Sequence, residues 1–283
     1  MAIPDEIVSG IHNLDPLPVT VQKLIAALSD EEVSFSELGK VIEYDPAVAA
    51  NILRIANSAF YASRGQIQNP RDAVVRLGTA TLLDIVLGNY LNELTVDAPL
   101  YNLSENDLWM HSAVSSMAVK EIKQQINGSA SVPQTACIAA LVHDIGKLIM
   151  VRYLKADPDE ILNISRREKV TFVEAENCLF GCDHAEVGGA IARKWSFPDA
   201  ITEAIERHHQ FPLEQSSEIL DAVVLANLVA KTLGIGLGAE GLNLRVDERC
   251  YKRLGMDFRS FCRICAQTAC QVDDMRQAYG LSN

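Results

Sequence analysis

The chain has 283 residues, with 37 acidic against 25 basic side chains and a formal charge of −12. That length suits one large domain or two modest ones. So acidic a surface repels phosphate backbones, and no Lys/Arg stripe offsets it, so the composition argues against a nucleic-acid partner.

Helix signals dominate and strand signals are nearly absent. The segment Met1 to Glu6 carries early acids and no apolar core, so no secretory signal is expected. Val21, Leu24, Ile25 and Leu28 recur at helical spacing. Ser34-Phe35-Ser36-Glu37 has the form of a capping box ahead of Leu38, Val41 and Ile42. Asp45-Pro46 and Asn69-Pro70 each pair an N-cap residue with proline at the first helical position. The first opens a helix with Val48, Ile52 and Ile55 on one face. The second opens a helix through Ala73, Val74 and Leu77 that ends at Gly78, and Thr79 or Thr81 starts the next. The apolar stretch from Leu77 to Leu91 contains Asp84 and Asn89 and is too short to span a bilayer. Val96 to Leu100 reads as a connector between a first helical lobe, residues 1–100, and a second.

The second lobe, residues 101–233, opens with a long helix from Ser104 to about Ile126, then a loop over Gly128 to Pro133. Next comes a nearly continuous apolar run from Cys137 to Met150, read as one buried helix starting at Pro133 or Gln134. Inside it lies Leu141-Val142-His143-Asp144-Ile145-Gly146-Lys147. Asp157-Pro158, Thr171 and Asp183-His184-Ala185-Glu186 each signal a further helix start, the Thr171 helix ending at Gly181. The helix after Phe197-Pro198-Asp199 carries His208 and His209, and another runs from Ser216 through Leu233. Residues 234–241 hold four glycines in eight positions without phosphate-loop spacing, and are read as a flexible loop. The tail, residues 234–283, is expected to add two helices after Val246. The fold class is all-α. Seven cysteines, an odd number without framework spacing, suit a reducing cytoplasm.

A carboxylate buried in an apolar helix must be paired, hydrogen-bonded or bound to metal. Beside Asp144 and His143 stand other inward-facing imidazoles. His111 shares a helix side with Leu108, Ser115, Ala118 and Ile122, and His208 shares one with Ile201 and Ile205. His209 is about 100° round its helix from His208. His184 lies in a first helical turn, where the dipole favours the neutral imidazole that a metal needs. Any one of these alone is more often a core histidine, but together they are the raw material of a metal site. Cys178, Cys182 and His184 lack a nearby fourth ligand and are read as packing, as are Cys262, Cys265 and Cys270 on one helix. His12 is isolated, and Trp109 and Trp195 are read as packing anchors.

These residues carry a resemblance. His143-Asp144-Ile145-Gly146-Lys147 resembles the central motif of the HD superfamily of metal-dependent phosphohydrolases, with His111, His184 and His208-His209 in matching order. Leu17-Pro18-Val19-Thr20-Val21-Gln22-Lys23-Leu24, Asp45-Pro46-Ala47, Leu53-Arg54-Ile55-Ala56-Asn57-Ser58-Ala59-Phe60-Tyr61 and Ala73-Val74-Val75-Arg76-Leu77-Gly78 resemble the HDOD family. That family comprises bacterial signalling output domains related to those hydrolases, and the match spans roughly residues 15 to 230. The resemblance implies a two-lobed helical bundle with an HD-like second lobe. It implies one or two divalent ions (iron, zinc, nickel or manganese) held by His111, His143, Asp144, His184, His208 and, as an open position, His209. In a two-ion arrangement Asp144 bridges, His111 and His143 hold one ion, and His184 with His208 the other. Lys147 then stabilises phosphoryl charge. One departure stands out: where the hydrolases close the site with aspartate, Ala226 is followed by Asn227, which offers a neutral oxygen. Asp221 lies about 240° away round that helix and is a poor substitute.

The implied function is signal transduction through contacts with signalling proteins or a nucleotide-type ligand. The alternative is a metal-dependent phosphohydrolase or phosphodiesterase acting on a nucleotide. A third reading is a metal that only stiffens the helical core.

Overall fold

A computed structural model describes residues 3–29, 35–43, 45–58, 61, 66–94, 98–126, 130–154, 158–210, 212–238, 244 and 246–279. Ser34 of the expected capping box, Ala59 and Phe60 of the family string, Val96, Asp97, Gly128, Asp157 and Gly241 lie outside the described residues. The fold is all-α. The described residues contain no strand; a 3-10 turn (Pro99–Tyr101) and an isolated bridge between Ala98 and Leu103 interrupt the helices.

The first lobe holds α1 (Asp5–Asn13), α2 (Val19–Ser29), α3 (Phe35–Glu43), α4 (Pro46–Ala56), α5 (Pro70–Leu77) and α6 (Thr79–Leu94). Its N-caps follow the chemistry of the sequence. Asp45 Oδ1 accepts from Val48 N at 3.1 Å, and Asn69 Oδ1 accepts from Asp72 N at 2.9 Å. Asn57 of the family string ties the end of α4 to the following segment, donating to Ile67 O and accepting from Ile67 N. α2 packs on α6 and α3 on α5, while α1 instead lies against the second lobe at α9 and α12. Pro70–Leu77 and Thr79–Leu91 together have the length and composition of a membrane span but are bent by 116°, and no single described helix is long and apolar enough to cross a membrane. Leu82, Leu83, Ile85 and Leu87 of α6 are buried in the core.

The second lobe comprises α7 (Glu105–Gln125), α8 (Thr135–Val142), α9 (Ile145–Tyr153), α10 (Pro158–Glu168), α11 (Phe172–Phe180), α12 (His184–Lys194), α13 (Asp199–Arg207) and α14 (Glu218–Thr232). Its centre is α8, apolar and buried from Ala136 to Val142 and packed by α7, α13 and α14. The expected single helix through Met150 is two helices. Asp144 leaves the helical region at φ −98°, ψ 11°, ending α8 at Val142 and restarting the chain as α9. On one straight helix His143 and Asp144 would diverge by about 100°. The break lets both side chains face one point.

Beyond the second lobe, α15 (Glu248–Arg253) packs on α14, and α16 (Phe258–Tyr279) packs on α7 and α14. Asp221 is buried there and not available to the histidines. Arg253 donates to both its oxygens, at 2.5 and 2.6 Å. The indole of Trp109 is buried and donates to Gly88 O at 2.8 Å.

Candidate metal centre

Five histidines and Asp144 meet between α7, the α8–α9 break, α12 and the end of α13. Four imidazoles are fixed through Nδ1. His143 Nδ1 lies 2.7 Å from Ala140 O, His208 Nδ1 2.7 Å from Ile205 O, and His111 Nδ1 2.9 Å from Ile235 O. His184 Nδ1 lies 2.7 Å from Glu176 Oε2. In a neutral ring a proton held at Nδ1 leaves Nε2 as a bare lone pair. All four Nε2 atoms turn toward Asp144. His143 and His111 lie 3.5 and 3.8 Å from Oδ2, and His184 and His208 lie 3.2 and 3.6 Å from Oδ1. His209, half-buried, brings its Nε2 to 3.0 Å from His184 Nε2.

The potential ligand atoms therefore form two groups that share Asp144. One contains His111, His143 and Asp144, the other Asp144, His184, His208 and His209. His143 Nε2, His208 Nε2 and Asp144 Oδ1 are fully buried and lack hydrogen-bond partners among the described residues. Buried polar atoms rarely stay orphaned, and this set fits a divalent cation, which would take up all three lone pairs. Cys178 and Cys182 take no part in either group.

The electrostatics follow from burial. Desolvation pushes the His111 and His208 imidazoles below their ordinary value, and His143 well below it. Burial also works against charge on Asp144. The neighbouring His143 and Lys147, with the His184 and His208 rings facing its Oδ1, outweigh it and hold the carboxyl well below the usual range. His184 departs from the sequence reading, which placed a neutral ring at a helix start. Burial lowers its pKa, but the Glu176 carboxylate at 2.7 Å overrides both burial and the dipole, and the ring is pushed up to about 10. Glu176 is fully buried on α11 and also accepts from Tyr101 Oη at 2.7 Å. Nothing in its local sequence marks it, because it reaches His184 only through the packing of α11 against the start of α12.

Three further features shape the centre. Lys147 does not face an open cleft. It is buried, its Nζ lies 2.8 Å from Asp144 Oδ2, and it sits over the Tyr101 ring. Asn227 stands beside His111, with Oδ1 3.2 Å from Nε2. The start of the glycine-rich run is not a free loop but a support for His111. Its Ile235 carbonyl fixes the ring, and a Cβ on Gly236 (φ +60°) would lie 2.6 Å from His111 Cβ. Gly146 allows α9 to touch α12, since a Cβ there would lie 1.9 Å from His184 O.

A cleft of about 350 Å³ reaches this centre, lined by Thr171, His208, His209, Asn227, Leu228 and Lys231.

Fold and centre define a class, an all-helical domain built round a buried histidine–aspartate cluster. The HDOD domain family matches residues 14–211, and the chain belongs to that family. A solved HDOD domain protein of unknown function from Geobacter sulfurreducens is 26% identical, covering 97% of this chain and 95% of that one at a TM-score of 0.75. A candidate signal transduction protein from Marinobacter aquaeolei VT8 shares the fold at 22% identity and a TM-score of 0.75, covering 98% of this chain and 65% of that one. A candidate phosphohydrolase from Shewanella amazonensis SB2B shares it at 20% identity and a TM-score of 0.69, covering 98% of each chain. An uncharacterised protein of Treponema pallidum (strain Nichols) is 22% identical over 242 residues, and the chain spans 44% of that protein's length.

Proposed function

We propose that the chain is a metal-loaded HDOD regulatory domain of bacterial signal transduction, acting by contact with signalling proteins or a small nucleotide-type ligand. The single observation that carries this reading is Asn227 facing His111 in an otherwise full ligand set. His111 and His143 with Asp144 would hold one ion, and Asp144, His184, His208 and His209 the other. Such mixed nitrogen and oxygen donors suit iron, zinc, nickel or manganese. When bound, the metal supplies Lewis acidity. Asn227 brings no charge to the His111 side, so that ion is held more weakly. Lys147 pairs with Asp144 and does not line the cleft.

The phosphohydrolase reading is favoured by one feature, the cleft that opens onto His208 and His209. Two measurements separate the readings. Elemental analysis of protein purified without added metal is expected to find a divalent ion that His143→Ala loses. Phosphate release from mononucleotides and cyclic dinucleotides is expected to be no greater for the wild type than for His143→Ala. Turnover above that control would establish the enzyme, and absence of metal in both proteins would remove the centre from the account.

A further inference from the structure

The join between the two lobes is tied to the histidine centre. Residues 98–103 lie between α6 and α7 and fold back on themselves. Ala98 N–H donates to Leu103 O at 2.8 Å, and Leu103 N–H donates to Ala98 O at 3.1 Å. Asn102 turns this strap in the left-handed region, at φ +52°. Beside it Tyr101, 1% exposed, points away from the strap into the second-lobe core. Its ring packs on Phe172 with centroids 5.5 Å apart, and Lys147 Nζ lies 5.4 Å from its centroid. Its hydroxyl donates to Glu176 Oε1 at 2.7 Å. Oε2 of the same carboxylate accepts from His184 N at 3.2 Å and lies 2.7 Å from His184 Nδ1. The glycine-rich run closes on the strap as well, because a Cβ on Gly238 (φ +49°) would collide with Tyr101 O. The same run carries the Ile235 carbonyl that fixes His111.

Glu176 is fully buried. A carboxylate without water is oriented by the protein donors it finds, and Tyr101 supplies the donor at Oε1. We propose that Tyr101 is a positioning residue for the metal centre, acting through Glu176 and His184, and that the strap joining the lobes thereby senses whether the centre is loaded. This rests on the metal reading of the centre. Linkage makes the effect reciprocal: as much as a seated strap tightens the hold on an ion, a held ion tightens the strap. The state of a buried site thus reaches the segment through which the first lobe is attached.

The test uses the full chain and cobalt(II), which accepts the same nitrogen and oxygen donors and whose visible bands report their geometry. Hydrogen exchange of the wild type is expected to slow about tenfold at residues 98–103 when cobalt is added. Exchange in α5, which packs on α3, α4 and α6, should be unchanged. Tyr101→Phe keeps the ring and removes the hydroxyl. It should weaken cobalt binding about tenfold, shift the visible bands of the bound ion and abolish the slowing at the strap. A residue that only stabilised the fold would leave those bands in place. The wild-type exchange measurement needs no variant, so it decides the matter where Tyr101→Phe fails to fold. Cobalt binding by the wild type without slowing at the strap, or a Tyr101→Phe protein with wild-type affinity and spectrum, would overturn the proposal and leave the centre standing. A wild type that binds no cobalt would overturn both.

Discussion

At His184 a single contact reverses what its position alone would dictate. A histidine at a helix N-terminus should be neutral, yet Glu176 at 2.7 Å makes this ring more basic than His111, His143 and His208 while fixing Nδ1 as the donor. The same contact leaves Nε2 directed at Asp144. Replacing Glu176 by Gln keeps an acceptor for Nδ1–H but removes the charge that makes the ring a strong donor to metal. Glu176→Gln is expected to weaken metal affinity by about 10- to 100-fold, read by chelator competition, with far-ultraviolet circular dichroism unchanged. Equal affinity in the variant would mean that His184 is not a ligand. Asn227 gives the opposite handle. Asn227→Asp places a carboxylate beside His111 Nε2, now 3.2 Å from the amide oxygen. It should raise affinity on the His111 side by at least tenfold, seen as a second equivalent of metal in calorimetric titration. An unchanged stoichiometry would separate Asn227 from the ion.

Between residues and the whole stand the helices, and here the sequence was readable in proportion to how local the cause was. Asp45, Asn69, Thr171 and Asp183 all accept from backbone N–H groups three residues on, as their side chains predict, while the helix read from Ser216 is capped one residue later by Ser217. The inward faces of His111 and His208 followed from helical spacing in the same way. The break at Asp144 was not readable, because both sides of it are equally apolar and periodicity cannot register a turn within a buried run. Nor was the support of His111 by Ile235, which depends on a carbonyl more than a hundred positions away. Gly146 belongs to this level as well. It follows the break and lets α9 meet α12 at backbone distance. Gly146→Ala would drive a methyl group into His184 O and should destabilise the fold by on the order of 3 kcal/mol. Since α12 would retreat with His184, metal affinity should fall in the same variant. Denaturant unfolding with and without metal checks both, and a variant as stable as the wild type would show that the two helices are not in contact.

In the whole molecule the lobes are joined by polar ties across apolar packing. Asp84 of α6 accepts from Ser116 and Lys120 of α7, Arg54 of α4 donates to Ala278 O of α16, and Lys194 caps the end of α1. Stability is therefore shared, and the charge state of the buried centre reaches global unfolding. Consider the protein stripped of metal. His111, His143 and His208 have pKa values below that of an unfolded histidine, about 6.5. As pH falls below that value the unfolded chain takes up protons that these buried rings refuse, so their contribution is present above about 6.5 and lost on acidification. His184 has the opposite sign. Its folded pKa is raised to about 10, so its contribution is complete below about 6.5 and lost as pH rises toward 10. The stripped protein should therefore melt highest close to pH 6.5 and lower on either side. A bound ion takes the place of the proton on His184 Nε2, so loading should remove the alkaline decline and steepen the acid one, because binding releases protons. At free metal a hundredfold above its dissociation constant the gain is about 2.7 kcal/mol. Melting temperatures of loaded and stripped protein should accordingly diverge between pH 6 and pH 8. A gap that stays constant across that range would mean that the ion sits elsewhere and that the imidazoles round Asp144 do not hold it.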